Sequence, residues 1–254
     1  GVVIAIVAAR LARRPADRMR TFGWHRAEVI GALVNGAFLL VMALVVIVMG
    51  AMRLGNPIHL PTTPMLIAAA GGLLTEFVAL ALLWKEQGRN LNVRGAFWHI
   101  IQTFVGSLII IVAALVIHFT GFLAIDPILG MAFGIVLLWA GWQITRDAMH
   151  LLLEGTPPDV DLSHAIADLA SIEGVADVHH VHAWALTSGR NVLSAHVRIE
   201  HDQAPEAGRI LQQAHDRLTG AHGIYFTTLQ IETVCLDEMA AAEIDVAGWA
   251  AGDD

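Results

Sequence analysis

Residues 27–50 read AEVIGALVNGAFLLVMALVVIVMG, an apolar run with Glu28 as its sole charge. A helix rises about 1.5 Å per residue, so such a run spans the roughly 30 Å of hydrocarbon that takes about 20 apolar residues to cross. Three further stretches have the same character, at 64–84, 96–119 and 127–145. Pro64 and Pro127 each open one of them, where the missing N–H costs nothing. A fifth apolar stretch, Gly1 to Leu11, is about half as long as a span and has no basic residue ahead of it. It lacks a signal-peptide layout and reads as the second part of a membrane helix that begins upstream.

Charge sets the orientation. Six arginines lie between Arg10 and Arg26, and Lys85, Arg89 and Arg94 form a second basic loop, whereas 54–63 and 120–126 hold no basic residue. Basic loops stay in the cytoplasm, so the alternation places both Arg-rich loops and everything after Arg146 there. The Arg10–Arg26 segment then meets anionic lipid at the bilayer surface. Only 15% of the 254 residues are charged and 56% are hydrophobic, against about 25% charged in soluble domains. That composition excludes a disordered chain, a nucleic-acid-binding tail and an ordinary cytosolic enzyme. No nucleophile–base arrangement or phosphate-binding loop is present to suggest catalysis.

The second part of the chain is different. Residues 1–153 carry a net charge of +5 and 154–254 a net charge of −13, and eight of the thirteen histidines fall in the acidic part. Glu154-Gly155-Thr156-Pro157-Pro158 is a breaker cluster that ends the last apolar helix. Beyond it, 161–171 reads as a short helix, 175–185 and 191–200 as strands joined by a turn at Thr187–Arg190, 204–219 as an amphipathic helix and 224–233 as a last strand. This αββαβ order predicts a small α+β layer. The expected domains are 1–153 in the membrane, 155–235 in the cytoplasm and a disordered acidic tail over 236–254. One cysteine, Cys235, excludes an internal disulfide and a multi-cysteine metal cluster.

Four segments carry a resemblance: Phe22-Gly23-Trp24-His25-Arg26-Ala27-Glu28, Leu91-Asn92-Val93-Arg94-Gly95-Ala96-Phe97-Trp98-His99, Leu152-Leu153-Glu154-Gly155-Thr156-Pro157, and Val181-His182-Ala183-Trp184 with Ser194-Ala195-His196-Val197. Together they resemble the cation diffusion facilitator (cation efflux) family, most of all its bacterial zinc/cadmium/cobalt exporter branch. The resemblance implies a six-helix membrane bundle, here N-terminally incomplete with part of helix 2 and helices 3–6, followed by a ferredoxin-like cytoplasmic domain. It also implies a homodimer in the bacterial inner membrane that exports divalent metal, Zn²⁺ foremost, in exchange for protons.

The resemblance also singles out residues. The family's ligand pair on helix 5 falls on His99 and Thr103, with Gln102 before it; threonine stands where the family has an aspartate, and the helix 2 pair would precede Gly1. Glu76, the only charged residue between Pro64 and Trp84, is an ionisable group inside a membrane segment and hence a candidate ligand or proton carrier in place of that aspartate. In the cytoplasmic part the resemblance implies His179 and His196 as metal ligands with Glu232 as a third. A further family histidine is replaced by Phe226, which leaves Cys235 to complete the set as a thiolate. Strand alternation instead puts His180 and His182 on one face. Two functions follow: a Zn²⁺ exporter working through His99 and Glu76, or a non-transporting metal sensor or partner subunit with a degenerate membrane site.

Overall fold

The computed structural model describes residues 2–55, 62–84 and 91–235, without the side chains of 2, 83 and 91–99. The acidic tail expected over 236–254 lies outside the described residues. The apolar stretches form five helices: α1 (Val2–Ala12), α2 (Arg26–Gly55), α3 (Thr62–Leu83), α4 (Leu91–Thr120) and α5 (Ile125–Leu152). Four contain segments of 21 to 30 residues apolar enough to cross a membrane. Helices α2 and α4 run a turn or more past their apolar cores. Hydropathy marks only the lipid-exposed length, whereas a helix continues until a breaker stops it, as Gly55-Asn56-Pro57 does after α2.

The chain divides into two compact units, residues 36–143 and residues 1–35 with 144–254. In the first, lipid offers no hydrophobic drive between helices, so close packing of small residues has to hold them. Helix α2 supplies Gly36, Ala43 and Gly50, seven residues apart, and α5 supplies Pro127, Gly134 and Gly141 at the same spacing. A methyl group added at Gly141 would lie 3.2 Å from the Gly36 carbonyl oxygen, and one at Gly134 would lie 2.7 Å from Ile47 Cγ1. The faces away from this seam are exposed and aliphatic, among them Val41, Val45 and Val48.

In the second unit, α6 (Leu162–Ala170), β1 (Val175–Ala185), β2 (Asn191–Ile199), α7 (Ala207–Ala221) and β3 (Ile224–Glu232) form an α+β layer in the expected order. A 3₁₀ turn, His201–Glu206, precedes α7 because Pro205 interrupts the α-helical ladder there. The sheet order is β1-β2-β3, antiparallel then parallel, with α7 as the crossover between β2 and β3. Asp161 caps α6 by accepting the His164 N–H at 2.9 Å. Ala165 and Leu169 of α6 and Ile210, Ala214 and Leu218 of α7 bury one sheet face with Val178, Val181, Leu193, Ala195, Val197 and Ile199. The other face of β2, carrying Ser194 and His196, is left for chemistry.

Packing at the α2–α5 seam gives a direct test. Gly141→Val overpacks against backbone and should cost about 1–3 kcal/mol. Gly130→Val, at a site with nothing within 4 Å, carries the same propensity penalty without the clash. Thermal unfolding in detergent should therefore show a midpoint several degrees lower for Gly141→Val than for Gly130→Val; equal midpoints would remove the seam.

Candidate metal centre

Strand β1 does not alternate regularly. Its pairing with β2 runs His179 opposite His196 and then shifts to His182 opposite Ser194. The shift is a bulge, and His180 takes φ 48° within it. Histidine is among the few non-glycine residues that enter this region with any frequency. The result is that Val178 and Val181 both face the helix-covered core, while His179 and His180 gather with His196 on the other side of the sheet. A regular strand would have pointed His179 and His180 to opposite faces.

The cluster is completed from the end of β3. Ligand atoms of His179, His180, His196 and Cys235 lie within 4.8 Å of one another. Cys235 Sγ is 3.5 Å from His180 Nε2. A tetrahedral zinc ion with bonds near 2.0–2.3 Å holds its ligands roughly 3.3–3.8 Å apart, so the set is within about an ångström of closing. Glu232 braces it: Oε1 accepts from His179 Nε2 at 3.0 Å and Oε2 lies 3.3 Å from His196 Nδ1. Burial pushes the Glu232 carboxyl up, but the Gln230 hydrogen bond and the charges of His196 and His179, with the His179 hydrogen bond, pull it below its ordinary value. It is therefore an ionised acceptor that orients imidazoles, as carboxylates behind metal-bound histidines do.

The donor set fits a metal ion. His179 and His180 are only 9% and 6% exposed. The Nδ1 atom of His179 is buried and makes no hydrogen bond, although Asp177 Oδ2 lies 3.0 Å from it. Buried polar atoms are expensive to leave unsatisfied, and a cation removes that cost. Three imidazoles and a thiolate are ligands for Zn²⁺, Co²⁺ or Cd²⁺ rather than for Mg²⁺ or Ca²⁺. His182, paired with Ser194 beyond the bulge, is not part of the grouping. What the sequence hides is the backbone angle at His180, since nothing in VHHVH marks where a bulge falls.

In the membrane helices, Glu76 lies in α3 and Gln102 and Thr103 in α4. Thr103 Oγ1 donates to its own Ile100 carbonyl at 2.9 Å. Glu76 Oε2 is buried without a hydrogen bond among the described residues. His99 stands in the first third of α4, and its side chain is outside the described set. A cavity of about 930 Å³ between α1, α2 and residues 19–27 has a mostly apolar lining interrupted by Arg20, His25, Arg26 and Glu154, and offers no comparable ligand set.

The Phe22–Glu28 motif has a separate role. It ties the foot of α2 to the α5 terminus and to the β1–β2 turn of the α+β layer through three polar contacts. Arg26 Nη2 donates to Glu154 Oε1 at 2.7 Å, Thr187 Oγ1 to Glu28 Oε2 at 2.8 Å, and Arg190 Nη1 to His25 Nε2 at 2.8 Å. Glu154 reaches Arg26 from a left-handed residue, φ 60°, that closes the α5 terminus with Gly155 N–H on the His150 carbonyl and Glu154 N–H on the Leu151 carbonyl.

Comparison with known proteins gives a consistent picture. Residues 1–153 match the cation efflux transmembrane domain and residues 157–234 the cytoplasmic domain of cation efflux proteins. A "Cadmium, cobalt and zinc/H(+)-K(+) antiporter" of Bacillus subtilis is 35% identical over 91% of this chain and 75% of its own length. The metal cation efflux system protein CzcD of Cupriavidus metallidurans is 32% identical over 95% and 76%. A zinc transporter of Yersinia pestis, ZitB, is 33% identical over 90% and 73%.

Two measurements probe these contacts. Cobalt added to the full chain should give a near-ultraviolet thiolate-to-cobalt charge-transfer band, lost in Cys235→Ser, at least tenfold weaker in apparent affinity in His180→Ala, and within threefold of wild type in His182→Ala. The second concerns His25, which accepts from Arg190 only as a neutral ring. Burial first, then the Arg190 charge, lowers its pKa, with Glu28 opposing. A lowered folded pKa means the contribution is full above the unfolded value near 6.5 and is lost as pH falls through the folded value. Between about pH 7.5 and about pH 5 the thermal midpoint of the wild type should fall more than that of His25→Gln, whose amide does not titrate. Parallel curves would exclude His25 as the titrating contact.

Proposed function

The chain belongs to the cation efflux family, and from that premise we propose that it exports divalent metal cations, Zn²⁺ foremost with Cd²⁺ and Co²⁺, from the cytoplasm in exchange for protons. The observation that carries this reading is the match of residues 1–153 to the cation efflux transmembrane domain, in a chain whose relatives are named as zinc, cadmium and cobalt transporters and antiporters. The chain is an integral membrane protein, and its α+β layer is the cytoplasmic domain. The relatives' names do not favour the non-transporting alternative.

Physical chemistry supports each part. The net charge of −13 over residues 154–254 concentrates cations on the cytoplasmic side, where the exporter collects its substrate. The His179, His180, His196 and Cys235 set is a second, resident metal site within the cytoplasmic domain. When occupied there, the ion supplies fixed positive charge that ties the β1 bulge, β2 and the end of β3 together. Glu232 keeps the imidazoles aimed, and burial of the two β1 histidines excludes water from the ligands. We further propose a homodimer built through the cytoplasmic domain, a reading that rests on the family whose domain it matches.

The transport reading is tested in liposomes. Zinc flux through the reconstituted chain should depend on an opposing pH gradient and collapse when a protonophore dissipates it. Flux equal to that of protein-free liposomes would refute export, and flux indifferent to the gradient would refute proton exchange.

A further inference from the structure

Helix α3 contains one charged side chain, Glu76, and α4 contains no acidic residue at all. Glu76 lies within the membrane-crossing segment Thr62–Leu82. Its Oε2 is buried and has no hydrogen-bond partner among the described residues. Acids near the ends of spans are provided for: Glu28 accepts from Thr187 and Asp126 pairs with Arg53 at 3.3 Å. A carboxyl inside hydrocarbon with an open oxygen is costly unless it holds a proton or a cation.

The packing of α3 on α4 shows what lies level with it. A methyl group at Gly72 would sit 3.4 Å from Ser107 Oγ, so these two residues face each other across the antiparallel hairpin. One helical turn along each helix from that contact, toward the loop that joins them, stand Glu76 and Thr103. Their levels therefore coincide. Thr103 Oγ1 spends its proton on the Ile100 carbonyl, so toward a neighbour it offers lone pairs only. A carboxyl and a hydroxyl oxygen acceptor at one depth, within helices that are mainly apolar, make a layer suited to a cation.

Resting on the exporter reading above, we propose that Glu76 is the carboxylate on which metal and proton compete during transport. The protonated acid gives up its proton as the dication arrives, forming a carboxylate–metal contact; release of the metal on the far side lets the carboxylate take a proton back. Each cycle thus exchanges one proton per carboxylate for the cation. Glu76 and Thr103 mark the depth at which the exchange occurs, and the level register makes the charge movable between the two positions.

The assignment is tested on the full chain with the cytoplasmic site disabled by His179→Ala/His196→Ala, using zinc itself as the probe. In that background Glu76→Gln should bind one zinc ion fewer per chain, and its pH-driven zinc flux should fall at least tenfold. Glu76→Asp should retain most of the flux, and Glu76→Gln/Thr103→Asp should recover at least a third of it, because the charge returns at the same depth. Unchanged binding and flux in Glu76→Gln would overturn the assignment while leaving export intact. If the wild type itself carries no flux, the exporter reading fails and the zinc count alone decides on Glu76. A hydrophobic carbodiimide, which adds to protonated carboxyls, gives a test in the wild type that no misfolded variant can confuse. It should label Glu76 unless zinc is present, and absence of zinc-protected labelling at Glu76 would overturn the proposal.

Discussion

Hydrocarbon supplies no hydrogen bonds, and that constraint governs everything before Glu154. The backbone has to satisfy itself, which leaves helices as the available form for these segments. Charges are driven to helix ends, where Arg26, Arg53, Asp126 and Glu154 find partners. Because aliphatic side chains gain nothing by leaving lipid for one another, α2 and α5 approach through glycine and alanine instead. The same rule gives Glu76 its meaning. A polar atom that would be unremarkable on a soluble surface is, at this depth, a group that has to be filled.

The cytoplasmic layer obeys a different economy. Its stability comes from one apolar face of a three-stranded sheet covered by α6 and α7, and this frees the second face from packing duty. The bulge at His179–His180 exploits that freedom. It leaves Val178 and Val181 in the core and moves two consecutive imidazoles to the opposite face, where they are buried against one another and His196, at the cost of one residue with positive φ. A bulge in a strand buried on both faces would have forced a polar ring into the core; here it adds ligands without disturbing the hydrophobic layer. Cys235, three residues beyond Glu232, then reaches the same place because β3 lies parallel beside β2 and ends near His196 and Arg198.

Much of this was legible in the residues. Apolar runs of span length, the breaker at Glu154–Pro158 and the period-two pattern of NVLSAHVRI each answer to a single local rule, so the elements appear where the sequence predicts them. The ends were less legible: helices α2 and α4 continue through polar turns because hydropathy is blind to helical hydrogen bonding. The candidate site was legible by type but not by geometry. Alternation groups His180 with His182, and only the bulge, a compromise between core packing and strand pairing, groups His180 with His179. No residue in the stretch encodes that choice alone; it depends on which of Val178 and Val181 the helices across the sheet accept. Likewise the level register of Glu76 and Thr103 follows from where Gly72 meets Ser107, a tertiary fact.

Among the described residues two non-glycine residues are left-handed, Glu154 and His180, and they are placed with a common logic. Each pays conformational strain and each delivers a polar group that a relaxed backbone would aim elsewhere. Glu154 ends α5 and presents its carboxylate to Arg26; His180 interrupts β1 and presents its imidazole to Cys235. Glycine at either position would relieve the strain and lose the side chain, so the strain is retained for the contact it permits. Strand β1 joins the two regions. The strand that carries His179 and His180 leads directly into Thr187 and Arg190, which hold Glu28 and His25 at the foot of α2. One continuous stretch, from Asp177 to Arg190, therefore contains two of the four candidate ligands and the contacts to the first long helix, with the Leu186–Arg190 turn closed by Gly189 at φ 74°. Strand pairing with β2 holds the stretch from the histidines to the turn, and two side-chain hydrogen bonds make the last step from the turn to the helix foot.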